Sequence, residues 1–398
     1  MKILGFNPSH HSSTCIVNNG KIEYFIQEER INRMKYVSFP IESFIELLKN
    51  RTPDVVCLAC ASIFFPLSDQ SDNNLWHVIT DIYLKENYLF FDLSFSHNQT
   101  KERNKGGFHH IAHASSAFYN SGFKEALCLV VDGLGSIILD SGTETETLFK
   151  FSYPSFFEIL HKKLYNDNFP KNISESLPDN MSITTKVNIG RVYETVTMYL
   201  GFGRNDAGKT MGLSSYGKYN KNIPNFLDKE GDGDPNVIIV DRDRKGEYEI
   251  EENYQCTFVD KEKNPYLKNQ HPKNWHHDKS NITDLEKDVA WKVQDETQKR
   301  IGDIIEKYVK ETGLKQVCCS GGYFLNCVAN YYLKKRFPDI DFYFDPIAND
   351  AGTAMGIAQL IYYHETRDTT IRPLKSLYLG PKYSKKELLK GIKKYTSI

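Results

Sequence analysis

The chain has 398 residues, 40% of them hydrophobic, enough to bury a large core and to form two to three lobes of about 150 residues each. Lys and Arg number 50 against 51 Asp and Glu, so the net charge of −1 does not indicate nucleic acid or an anionic membrane as partner, although it permits a local basic groove. Nowhere do about 18 apolar residues run together and the N-terminus has no leader pattern, so the chain reads as cytoplasmic, with no membrane partner.

The sequence opens with a strand over Ile3–Phe6, a polar turn over His10–Thr14, and a hairpin of Cys15–Val17 and Ile22–Ile26 around Asn18-Asn19-Gly20. A strand followed by such a polar turn can wrap phosphates. Pro40–Leu48 reads as an amphipathic helix and Asp54–Ile63 as a strand. Cys57-Leu58-Ala59-Cys60 matches CxxC within that strand, but no second pair stands at zinc-site spacing. The eight cysteines fall mostly in apolar runs, which fits reduced core thiols better than disulfides. Residues 65–106 are polar and aromatic with no clear period.

The run from His109 to Phe118 predicts a helix, with His109 and His113 one turn apart on one face, able to aim two imidazole nitrogens at one ion. Taken alone, the pair is equally well explained by hydrogen-bonded histidines on a surface helix. Asp132 ends the strand-like Leu127–Val131. It is followed by Gly133 and Gly135, which let a phosphate approach the backbone while the carboxylate serves a metal. Strand, glycine turn and strand over 126–139 repeat the plan of residues 3–17.

Ser152–Lys186 reads as loop-rich, and Val192–Leu200 as a helix closed by Gly201. The segment Gly208–Lys218 lacks the first glycine of a P-loop and is read instead as a glycine-shaped loop on the substrate side. Residues 228–282, charged and dotted with proline, are expected to form an exposed insert. Ile282–Thr312 is a long helix with a stripe of Val289, Val293, Ile301, Ile304, Ile305 and Tyr308.

Val317-Cys318-Cys319 is a buried strand, and Ser320–Asn326 a glycine turn feeding a helix that runs to about Arg336. Gly321 and Gly322 offer free N–H groups to a sugar, ring or phosphate, and Asn326 can hydrogen-bond the same ligand; a plain strand-to-helix cap is the alternative. Phe342–Phe344 is a further strand. Asp350 then opens a small-residue helix, where its carboxylate either caps the N-terminus or ligates a metal. The alternation of strands, glycine turns and helices is that of an α/β protein.

In order and spacing, HHIAHASSAFYNSGF, VVDGLGS, KTMGLSSYGK, SGGYFLNCVAN and DPIANDAGTAMGIA closely resemble the NodU/CmcH family of O-carbamoyltransferases. GFNPSHHSSTCIVNNGKI and Glu28–Lys35 extend the resemblance over almost the whole chain. It implies an actin-like ATPase fold of two ribonuclease-H-like lobes with ATP between them and a charged insert. The lobes are expected at 1–125 and 126–371, with 372–398 as a linker or docking tail. It also implies a divalent metal held by His109, His113, Asp132 and Asp350, iron(II) first, with zinc, manganese or magnesium as alternatives. Gly133 and Gly135 would flank the phosphates, and Gly321, Gly322 and Asn326 the adenosine. His11 aligns with the first-turn histidine of the family's HDSSA-type motif, which puts it at the reacting carbamoyl or its phosphate; His11 or His110 would accept the hydroxyl proton.

The reaction implied carries a carbamoyl group from carbamoyl adenylate, made from carbamoyl phosphate and ATP, to a hydroxyl of a sugar, nucleoside or other small acceptor. The sequence departs from the family pattern at Ser12, where an acidic residue is common, and at Ser136, where Glu is common. Beyond Leu377–Ser384 family members continue into a YrdC-like domain that makes the adenylate, whereas this chain ends at Ile398, which leaves two readings: a separate YrdC-like protein as partner, or a shortened chain. Two other readings stand beside this one: a non-catalytic nucleotide-binding subunit of a split carbamoyltransferase, and an enzyme of the transfer RNA threonylcarbamoylation type.

Overall fold

Two sheets of matching topology carry the chain in the computed structural model, which describes residues 1–37, 41–48, 53–59, 89–90, 109–138, 142–166, 179–241, 255–258, 282–381 and 383–395. The first sheet has the order β3-β2-β1-β4-β5, built from β1 (Lys2–Asn7), β2 (Ser13–Asn18), β3 (Lys21–Gln27), β4 (Val55–Leu58) and β5 (Leu89–Phe90). β1, β2 and β3 are antiparallel neighbours, and β4 and β5 add in parallel on the other side of β1. The β2-β3 turn holds Asn19 at φ 47° and Gly20 at φ 74°, the positive values that a two-residue hairpin loop needs.

The second sheet repeats the plan. β6 (Glu125–Val131) pairs antiparallel with β8 (Gly142–Ser152), which also pairs with the short β7 (Ile137–Ile138); β9 (Phe156–Tyr165) follows antiparallel and β10 (Met181–Thr184) lies parallel at that edge. β11 (Ile238–Asp241) and β12 (Gln255–Phe258) form a separate antiparallel pair. On the far side of β6 come β13 (Gln316–Ser320) and β14 (Asp341–Phe344), both parallel. The echo between residues 3–17 and 126–139 is therefore one of topology, but the long partner of β6 starts beyond residue 139.

Much of the stretch expected as loops after Ser152 is strand, because β8 and β9 carry charges that are buried in pairs. Glu144, Glu146, Lys162 and Lys163 are all buried; Glu144 pairs with Lys162, Glu146 with His161 at 2.7 Å, and Lys163 with Asp232 at 2.8 Å. A buried charge reads as loop in a hydrophobicity pattern, yet with its partner it is tolerated inside a sheet.

The helices are α1 (Glu29–Asn32), α2 (Ile41–Leu48), α3 (His109–Ser121), α4 (Ile189–Tyr199), α5 (Ala207–Ser214), α6 (Asp284–Thr312), α7 (Cys327–Arg336), α8 (Ala351–Thr366) and α9 (Lys385–Tyr395). α8 is buried from Ala351 to Tyr363, as a helix without a polar face must be. It packs on β1, β2 and α3, and α3 in turn lies on β6 and β13, so these two helices are wedged between the sheets. Their crossing is backbone against backbone: a Cβ at Gly356 would lie 1.8 Å from the carbonyl oxygen of Ala112. Ile3 and Cys15 of the first sheet, Cys128 and Val130 of the second, Phe118 and Ile357 share one hydrophobic core. A second core lies on the other face of the second sheet, under α4 and α6.

The predicted stripe of α6 is buried, and the helix is framed by a capping box of Thr283 and Glu286 and by Gly313 at φ 73°. The segment expected as a glycine-shaped loop is instead α5; Gly208 and Gly212 face open space and need no conformation other than helix, while Thr210 and Leu213 are buried. Cys15, Cys57, Cys128, Cys318 and Cys319 are buried free thiols. Cys60, the strand beyond Ala59, and most of the stretches 65–106 and 242–281 lie outside the described residues. Among the described residues no helix is long and apolar enough to cross a membrane.

Candidate metal centre

The C-terminal ends of β1, β6, β13 and β14 and the N-termini of α3 and α8 meet at one place. His109 and His113, at the start of α3, face each other with their Nε2 atoms 3.2 Å apart. Asp132, just past β6, brings Oδ2 to 2.9 Å from His109 Nε2 and 3.7 Å from His113 Nε2. Asp350 Oδ1 lies 3.7 Å from both of those nitrogens. Asp350 precedes α8 in a right-handed helical conformation and makes no side-chain cap bond. Its carboxylate does not cap α8 and faces the two histidines.

His113 is oriented from behind. Ser320, the last residue of β13, donates to Asp345 Oδ2 at 3.2 Å and so accepts from His113 Nδ1, also at 3.2 Å. That places the proton on Nδ1 and the lone pair on Nε2, toward the cluster, the tautomer a metal-binding histidine uses. Ser320 and Asp345 were not singled out as site residues in the sequence, where one reads as part of a glycine turn and the other as the residue before a proline.

Four donors held about 2.1 Å from one ion in tetrahedral geometry stand about 3.4 Å from one another. The four side chains here have their donor atoms within 4.8 Å of one another, with the closest pairs at the distances above. Two imidazole nitrogens and two carboxylates thus fit a divalent ion. The charges point the same way: burial opposes ionisation, yet the His109 bond holds Asp132 down at about 2. Burial likewise opposes the His109 cation, but Asp350 and Asp132 lift it to about 9. The two carboxylates attract whatever positive charge is available, and a metal ion satisfies both.

Around this centre stand the other expected residues. The turn after β6 leaves Gly133 open to space, whereas a Cβ at Gly135 would come within 2.9 Å of the His110 ring and of Glu144. Gly135 therefore serves packing, while Gly133 stands open. His110 is fully buried: its Nδ1 meets Thr147 Oγ1 at 2.8 Å, and burial drives its pKa down to about 3. Its ring faces β8 and Gly135. Glu144 Oε2 accepts from the backbone N–H groups of Ser136 and His110, tying the turn to α3. His11, on the β1-β2 turn, has a buried Nδ1 with no hydrogen-bond partner among the described residues, and its ring lies 5.5 Å from that of Tyr36. Ser12 donates to the carbonyl of Val37.

Gly321 adopts φ 94° with its Cα against the Val131 carbonyl, a place only glycine fills. A Cβ at Gly322 would sit 3.1 Å from Asp132 Oδ1, so this turn lies on the Asp132 carboxylate. Asn326, expected to reach a ligand, has its amide engaged within the protein. Its oxygen accepts from Ala329 N–H at 3.0 Å to cap α7, and its nitrogen donates to Gln294 at 2.8 Å. Sequence reasoning also passed over His10, whose Nδ1 lies 3.6 Å from Asp350 Oδ2.

A doubled α/β lobe with a His-His-Asp-Asp cluster at the junction defines the class of site. The chain matches the family model described as "Carbamoyltransferase N-terminus" over residues 67–359, a span that includes all four cluster residues, and it belongs to that family. It is 26% identical to an uncharacterised protein of Synechocystis sp., over 98% of this chain and 62% of that protein. It is 23% identical to the nodulation protein NolNO of Sinorhizobium fredii, over 94% of this chain and 49% of that protein. The crystal structure of HypF from T. kodakarensis superposes with a TM-score of 0.51 at 13% identity, over 93% of this chain and 49% of that one. With the duplicated strand order, this makes the fold the actin-like ATPase type that the sequence resemblance implied. The chain spans 49% to 62% of the length of the two relatives named.

Proposed function

We propose that the protein transfers a carbamoyl group from carbamoyl adenylate to a hydroxyl of a small acceptor, with the nucleotide in the cleft beside the cluster of His109, His113, Asp132 and Asp350. The observation that carries this reading is the convergence of four metal-type donors at the end of β6 and the starts of α3 and α8, in a chain of the carbamoyltransferase family. A divalent ion bound there supplies Lewis-acid polarisation of the carbamoyl carbonyl or its phosphate. A mixed nitrogen and oxygen set suits iron(II), zinc or manganese.

The rest belongs to the chain itself. Gly133 leaves room for phosphate oxygens, and the Gly321-Gly322 turn sets the nucleotide against Asp132. His11, on the cleft turn after β1, is assigned to the reacting carbamoyl or its phosphate; His110, enclosed by β8, holds the turn after β6 in place. The acceptor oxygen attacks the carbamoyl carbon, the bond to the AMP phosphate oxygen breaks and AMP leaves, and the hydroxyl proton passes to His11.

The test supplies synthetic carbamoyl adenylate to the metal-loaded chain with a panel of sugar and nucleoside alcohols, and follows AMP release and the mass of the acceptor. Acceptor-dependent AMP release is expected. Failure of every acceptor to gain a carbamoyl group, with metal bound, would sink the reading.

A further inference from the structure

The apolar stripe of α6 is broken where it passes behind the Gly321–Asn326 turn. Thr297 stands between Val293 and Ile301 at helical spacing and Gln294 lies beside it; both are polar and both are buried. A buried polar side chain costs stability unless its hydrogen bonds are made, and here they are made to the turn and to α4. Thr297 Oγ1 accepts from the Tyr323 hydroxyl at 3.1 Å while it donates to the Val293 carbonyl at 2.7 Å. Gln294 Oε1 accepts from Asn326 Nδ2 at 2.8 Å and from the Tyr193 hydroxyl, also at 2.8 Å. The orientation of the two amides follows. Asn326 Oδ1 is taken by the Ala329 N–H, so the Asn326 nitrogen faces Gln294 and meets the oxygen of that amide.

Tyr193 carries the link onward. It sits on α4, whose first turn packs on the turn after β6: Asn188 donates to the Gly133 carbonyl at 2.9 Å, and a Cβ at Gly190 would lie 2.8 Å from the Asp132 carbonyl oxygen. One oxygen of Gln294 thus joins the turn assigned to the nucleoside, through Asn326, to the helix that holds the turn assigned to the phosphates, through Tyr193. We infer that Gln294 is a positioning residue for the nucleotide: acting through Asn326 and Tyr193 rather than on the ligand, it fixes the spacing of the two turns that receive the opposite ends of one molecule. The inference rests on the nucleotide site proposed above. A ligand held at both ends is sensitive to that spacing, whereas one that meets a single turn is not.

The test is calorimetry on the full chain with the magnesium complexes of two probes: a non-hydrolysable imido analogue of ATP, and tripolyphosphate, which carries the phosphate end alone. Gln294→Met keeps the bulk of the side chain and removes the shared acceptor, leaving two buried donors unpaired. It should weaken binding of the ATP analogue by about tenfold or more and leave that of tripolyphosphate within about twofold. Gln294→Glu restores an acceptor oxygen and should recover most of the lost affinity. Tyr193→Phe retains the ring and its edge-on contact with Tyr323, 6.4 Å between centroids, and should lower affinity for the ATP analogue in the same selective way, so the inference is decided even if Gln294→Met does not fold. Unaltered affinity for the analogue in Gln294→Met or in Tyr193→Phe overturns the inference, as does no recovery in Gln294→Glu or a parallel fall for both probes, the mark of general loosening. If the unsubstituted chain binds the analogue no more tightly than tripolyphosphate, the nucleoside turn is misassigned, and the nucleotide reading falls together with the inference.

Discussion

His113 illustrates how one side chain gains a role from those behind it. Its ring is fixed by Ser320, and Ser320 by Asp345. Ser320→Ala is expected to weaken divalent-ion affinity by about 10–100-fold, and His113→Ala by more, both measured by calorimetry. The four residues of the cluster could be found in the sequence because their positions obey simple rules: two histidines at i and i+4, one carboxylate at a strand end and one at a helix start. His10, Ser320 and Asp345 could not, since their roles come from long-range contacts that leave no period. Glu146 was hidden for another reason, being a buried charge that reads as surface. Burial opposes its ionisation, but His161, Arg300 and Lys163 hold its pKa down to about 2 against an ordinary 4.5. Its contribution to stability is full above pH 4.5 and is lost as the pH falls toward 2. Glu146→Gln should cost on the order of 3 kcal/mol at neutral pH and flatten the acid limb of a denaturation curve; an unchanged acid limb would contradict this.

The elements that the sequence announced most clearly are those with strong end signals, such as α6 with its capping box and the β2-β3 hairpin with Asn19-Gly20. β8 and β9 were missed because their alternation is of paired charges, and α5 because its glycines suggested a loop. The α3-α8 crossing was not foreseen at all. It depends on the missing side chain of Gly356, which says nothing until its neighbour is known. Gly356→Leu should force the helices apart, costing about 1–3 kcal/mol or more from overpacking and lowering the melting temperature. Gly322→Val is expected to act differently. Its added carbons would press on Asp132 and fill the turn, so nucleotide and metal affinity should both fall while the melting temperature of the metal-free chain changes little.

For the whole molecule, the ordered motifs were enough to indicate the fold and family, while the lengths of the strands around them were not. Because Asp132 follows a strand of the second sheet and Asp350 precedes a helix packed on the first, an ion held by both links the two halves. Saturating divalent metal should raise the melting temperature, by an amount that grows with the logarithm of metal concentration above its Kd, and Asp350→Asn should abolish the rise. The repetition of one strand plan in two sheets has a further consequence. Each copy sends its first strand into a turn at the same junction: His10, His11 and Ser12 in one, Gly133, Leu134 and Gly135 after Asp132 in the other. A pseudo-twofold frame would offer a substrate two like walls, yet one has come to present imidazole and the other carboxylate and bare backbone. The strand plan is repeated and its chemistry is not, so a ligand lying across the junction would meet different groups at its two ends.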